Sequence, residues 1–240
     1  FMGFGMLLGG KRSTDEIVSQ SGSFYYMAGV LFCLWLFFKR RREQFLKEIS
    51  FSLPVNNLKK ILFLAGMGFA ASVSVSALLT LLPKIPLLWG DYTGSTSSAF
   101  RGYDPVLTVI TNVILAPIME EAVFRGYMIK RLKEGLRQDQ AVLIASAFFA
   151  VCHIYPVWII YAFGMGLLLA WVALREDNIF YSMVLHISFN LAALPVTWIN
   201  SSESISQLLL GSWWKLVILG AAAAAASAAA YRGYVKEAEL

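Results

Sequence analysis

Charge is scarce in this chain: acidic and basic side chains make up 15% of its 240 residues, against the roughly 25% usual in soluble domains. Histidine is scarcer still, with His153 and His186 the only two, and so is cysteine, with Cys33 and Cys152. Two cysteines in separate apolar stretches exclude a disulfide framework and a cysteine-based metal centre. Each is expected to pack as a small hydrophobe. What remains is 58% hydrophobic, with a mean hydropathy of +0.64, more apolar surface than a soluble fold of this length can hide. The class implied is all-α, a polytopic transmembrane helical bundle.

Seven stretches approach the roughly 20 apolar residues that a spanning helix needs. They cover 24–38, 61–82, 105–129, 140–154, 156–174, 178–199 and 208–230, and the apolar character of residues 1–10 leaves room for an eighth. The fourth and fifth meet at Tyr155-Pro156; together they are too long for one span, so a tight hairpin is expected. Ala162, Gly166 and Ala170 are spaced to let the fifth helix approach a neighbour closely. The stretch 43–58 mixes apolar and charged residues like an interfacial segment. No cleavable leader is legible, so the first span is expected to act as the insertion signal. The chain divides into N-terminal helices (1–104), a core carrying the chemistry (105–199) and a C-terminal helix with its tail (200–240), all within one membrane domain.

The basic residues give the orientation. Lys39 to Arg42, Lys47, Lys59 and Lys60 precede the second span, Lys130, Arg131, Lys133 and Arg137 follow the third, and Arg175, Arg232 and Lys236 complete the set. Alternating spans put these on one side, which the positive-inside bias makes cytosolic. The net charge of +5 therefore reads as orientation and contact with anionic lipid, with no role in nucleic-acid binding.

An ionisable residue at the centre of a span costs about 2.5 to 3.5 kcal/mol on insertion scales, so such residues need a reason. Here they cluster. The third span carries Glu120, Glu121 and Arg125, and both histidines lie within apolar spans. At 1.5 Å per residue from the basic end of each helix, Glu120 lies about 15 Å deep, His153 about 20 Å, His186 about 12 Å and Asn190 about 18 Å. Three helices thus bring them to a common layer. Glu121 and Arg125, four apart, can pair, while Glu120 points about 100° away and stays free for proton chemistry. Asn178, Ser182, His186 and Asn190 follow one another at steps of four, a polar stripe expected to face a watery cavity. Phe149, four before His153, can pack against the imidazole or an entering peptide; Phe149 and Ser182 are candidates for substrate contact. A carboxylate and an imidazole in such a cavity can deprotonate water, and His186 with Asn190 can donate to the oxyanion of a tetrahedral intermediate.

At these residues the chain resembles the CPBP intramembrane proteases, also called the CAAX protease or Abi family, which include the type II CAAX prenyl proteases. The matching motifs are EExxxR at Glu120, Glu121 and Arg125, FxxxH at Phe149 and His153, and HxxxN at His186 and Asn190. The resemblance implies a glutamate-type endopeptidase, with no metal or other cofactor, whose cavity opens to the cytosol from a plasma, inner or endoplasmic-reticulum membrane. Glu120 and His153 would activate water, His186 and Asn190 would form the oxyanion hole, and Glu121 and Arg125 would support the site. The partners implied are the bilayer and a membrane-associated peptide or protein substrate, with prenylated CAAX proteins the family's best-known class.

Other readings of the same residues stay open. Glu121 with Arg125 can be a structural ion pair, and Asn190 an interhelical hydrogen-bonder. Two Glu and two His are permitted zinc ligands, which makes a zinc metalloprotease the chemical rival. A proton-coupled transporter also holds intramembrane carboxylates and histidines. A non-catalytic immunity or binding protein would keep the fold without turnover.

Overall fold

In the computed structural model, the described residues are 45–54, 57–81, 109–153, 156–201 and 211–238, with single positions at 29, 32, 33, 35, 36, 39 and 106. Among the described residues every regular element is a helix. The first expected span falls outside them except at those single positions, as do residues 1–10 and the loop 83–104. Helix α1 is the short Phe45–Glu48 and α2 is Leu58–Leu81. A composite helix, α3, runs over 109–132. Then come α4 (Gln138–Val151), α5 (Pro156–Glu176), α6 (Ile179–Ser201) and α7 (Trp213–Ala238).

Among the described residues three helices are long and apolar enough to cross a membrane: Leu58–Leu81, Pro156–Glu176 and Trp213–Glu237. Helix α4 was expected to span as well. Its 14 residues reach about 21 Å, short of the roughly 30 Å hydrocarbon core. It stops because the chain turns at Cys152 and His153, and the α4–α5 hairpin follows as expected. Helix α7 packs on α2, α2 on α6, and α6 on both α5 and α3.

The small residues of α5 serve the hairpin. Ala162 and Ala170 are buried, and a Cβ on Gly166 would stand 3.0 Å from that of Ser146 on α4. The cysteines differ from expectation. Both Cys33 and Cys152 are exposed on the protein surface, since the outer face of a membrane helix is as apolar as its inner face and apolar context alone does not decide burial.

The basic segments gather at one end of the bundle, as the charge pattern required. Glu48 pairs with Lys130 at 3.2 Å and with Arg131 at 2.5 Å, and Glu176 takes Lys60 at 2.8 Å and the Tyr234 hydroxyl at 2.6 Å. Helix α5 ends with Asp177 at φ 46° and a bond from the Asn178 N–H back to the Ala173 carbonyl, a Schellman-type stop. Asn178 then caps α6 by accepting the Phe180 N–H at 3.0 Å.

Residues 45–52 form a strap across the two helices that carry the polar cluster. Ile49 is buried with Ala122 of α3 and Ile179 and Met183 of α6, flanked by Phe45, Phe51 and Ile118. Ser50, at φ 52°, turns its carbonyl to the Ile179 N–H at 3.0 Å. The Asn178 amide donates to the carbonyl and hydroxyl of Ser52, both at 2.9 Å. Leu46 and Leu53 point outward. A Cβ on Gly126 would lie 2.7 Å from that of Ile49 and 2.9 Å from its carbonyl. Gly126→Ala is therefore expected to destabilise the protein by about 1 to 3 kcal/mol through overpacking, read as a lowered unfolding midpoint in detergent. Gly164→Ala, whose Cβ meets nothing within 4 Å, should leave that midpoint unchanged or raised; equal midpoints for Gly126→Ala and wild type would refute the strap's close seat.

Candidate active site

The helix that carries the two glutamates is not a uniform α-helix. Val109–Leu115 and Glu121–Met128 are wound as wider π-type turns, separated by an α-helical stretch, Ala116–Glu120. Pro117 lies within that stretch and has no N–H to give the helical ladder. Such widened turns recur at functional sites because they re-aim neighbouring side chains. Here the change of winding falls between Glu120 and Glu121, and the two adjacent carboxylates reach opposite nitrogens of one imidazole. Oε1 of Glu121 lies 3.0 Å from Nδ1 of His186, and Oε2 of Glu120 lies 3.6 Å from Nε2.

Glu121 pairs with Arg125 as the spacing required: Nη1 donates to Oε1 at 2.9 Å. The carboxylate is 0% exposed. The guanidinium also donates to the Gly166 carbonyl at 3.2 Å and lies 4.3 Å from the centre of the Phe149 ring. Glu120 remains 23% exposed, so of the two side chains it is the one that protein does not seal.

Phe149 is enclosed. Its ring meets His153 at 4.9 Å and His186 at 5.8 Å, both edge to face, and Phe124 at 5.5 Å. In this structure it separates and orients the two imidazoles and lines no open surface. His153, in the turn after α4, donates from Nδ1 to the Phe149 carbonyl at 2.9 Å. A carbonyl only accepts, so the neutral His153 ring carries its proton on Nδ1 and keeps Nε2 bare.

The polar stripe of α6 meets protein along most of its length, where a watery cavity was expected. Asn178 is taken up by Ser52, and Ser182 is fully buried with its hydroxyl on the Ile179 carbonyl at 3.0 Å. Ser182 is thus sealed from substrate, because α6 packs this face against the strap and α3. Asn190 donates to the Asn112 carbonyl at 3.0 Å, the interhelical bond that was one of its two readings. Among the described residues no three His, Cys, Asp or Glu side chains converge as a metal site.

Residues 102–192 match the model of a family described as type II CAAX prenyl endopeptidase Rce1-like. All three motifs lie inside the matched stretch. Residues 102–192 are therefore similar to the Rce1-like family. At the level of the family, the activity that goes with this stretch is that of a CAAX-type intramembrane protease. No curated protein and no solved structure matches the chain.

The matched stretch holds two partners that sequence reasoning missed. Asn112 takes part through its backbone carbonyl, so its polar side chain was no signal for that bond. The Gly166 carbonyl carried none, since any backbone supplies one. The strap, which packs against α3 and α6, and α2, which packs against α6, lie outside the matched stretch. Removing Arg125 leaves a buried carboxylate unpaired, so Arg125→Ala should cost about 3 to 5 kcal/mol, measured by unfolding in detergent. A wild-type midpoint for that variant would show that the ion pair does not hold the domain.

Proposed function

We propose that this chain is a glutamate-type intramembrane endopeptidase that hydrolyses a peptide bond of a membrane-associated substrate. The observation that supports it best is Glu120, the partly exposed member of the carboxyl pair, set against the imidazole of His186 within a stretch that matches the Rce1-like family. Glu120 acts as general base, assisted by His153, whose Nε2 is bare. Water attacks the scissile carbonyl carbon while one of its protons passes to Glu120; the C–N bond then breaks and that proton goes to the leaving nitrogen. Asn190 serves the oxyanion side. An amide NH2 carries two donors, so holding Asn112 leaves one to offer. The description of the matched family makes a prenylated C-terminal CAAX sequence the first substrate to try, presented from the bilayer to a site that opens to the cytosol.

Glu120→Ala and His153→Ala should each lower cleavage of a prenylated CAAX peptide in proteoliposomes by about 10² to 10⁴-fold, the range of a lost acid–base group. Unfolding midpoints should stay at the wild-type value. Wild-type turnover by either purified variant would falsify the assignment.

The mechanism is metal-free. Cleavage by wild type should survive exhaustive chelation, whereas a loss that added zinc restores would make the same residues those of a metalloprotease.

A further inference from the structure

We propose that Glu121 is a positioning residue whose carboxylate locks His186 in its Nδ1–H tautomer and turns a bare Nε2 toward Glu120. The catalytic consequence rests on the proteolytic reading above; the geometry does not. Oε1 of Glu121 accepts from Arg125 at 2.9 Å, and a carboxylate salt-bridged to a guanidinium only accepts hydrogen bonds. The same oxygen stands 3.0 Å from Nδ1 of His186, with both groups buried. A bare Nδ1 there would set two lone pairs against each other at a separation too short for water to intervene. Nδ1 therefore carries the proton and donates it to Glu121, and which ring nitrogen is bare follows from that bond.

A neutral imidazole has one N–H. With Nδ1 protonated, Nε2 is an acceptor 3.6 Å from Oε2 of Glu120, beyond hydrogen-bond length; the proton that Glu120 takes from water lets the two close up as O–H···N. The ring is held against reorientation by the edge-to-face contact with Phe149, 5.8 Å between centres. Arg125 is held in turn by Gly166 and by the Phe149 face. Neutral His186 then has no N–H to give an oxyanion. It moves from the oxyanion side, where the family resemblance put it, to the acid–base side beside Glu120. Both histidines present Nε2 in this arrangement, His153 because its Nδ1 is spent on the Phe149 carbonyl.

Two histidines make this directly readable. In the full chain labelled with 15N-histidine in detergent, two imidazoles contribute signals, and the spectrum of His153→Ala assigns His186. Wild type should show His186 protonated at Nδ1 and bare at Nε2. The double variant Glu121→Leu, Arg125→Met replaces the buried pair with apolar groups, an exchange that buried ion pairs often tolerate. It should lose the Nδ1–H signature and lower kcat roughly 10- to 100-fold, the size typical of removing a partner that orients an imidazole, with KM little changed. A wild-type His186 with its proton on Nε2 overturns the proposal, as does a folded double variant that keeps the Nδ1–H signature and wild-type kcat. Absence of wild-type cleavage sinks the proteolytic reading alone, because the wild-type spectrum decides the tautomer without turnover.

Discussion

The carboxylate of Glu121 has no exposed surface, so its charge has to be answered where it stands, and much of the site is arranged around that need. Arg125 answers it from one helical turn away. The guanidinium, having several donors, spends another on the Gly166 carbonyl and lays its face over Phe149. Phe149 in turn touches both imidazoles. A buried pair of this kind is weak evidence for stability, since apolar groups of the same size often serve as well. Its place next to a second, partly exposed carboxylate therefore fits a role in setting up Glu120 and His186.

Geometry of that sort needs α3 and α6 to keep a fixed relation. The strap supplies one clamp, with Ile49 seated against Gly126 and its backbone and Ser52 tied to the start of α6. Asn190 supplies another on the far side of His186, through the Asn112 carbonyl. The two clamps bracket the His186–Glu120 contact along both helices. Movement of α6 against α3 would change the 3.0 and 3.6 Å separations together.

Several of these features were legible in the residue order. The step of four from Glu121 to Arg125 anticipated their ion pair because helical periodicity is local and survives the widened turn. The basic segments anticipated which helix ends share one end of the bundle, and the Glu48 and Glu176 pairs bear that out. The small residues of α5 anticipated its close approach to α4. Burial was read less well. Asn178 and Ser182 looked like the lining of a cavity and are packed against protein, and both cysteines, expected to pack as small hydrophobes, are exposed. Periodicity tells which residues share a face, whereas what covers the face depends on segments far away in the chain.

By itself, then, the sequence determined the helical class, the helix ends that share one side and the short list of polar residues that an apolar bundle would not keep without cause. Those follow from spacing and from the cost of charge in hydrocarbon, which act within one helix at a time. Tertiary structure alone decided that both glutamates address the same imidazole, that Glu121 is sealed while Glu120 stays partly exposed, and that Asn190 is held by a backbone carbonyl. Each of these depends on the relative placement of α3, α4 and α6 to within an ångström, which is set by packing between residues 40 to 130 positions apart, such as Arg125 with Gly166 and Ser52 with Asn178.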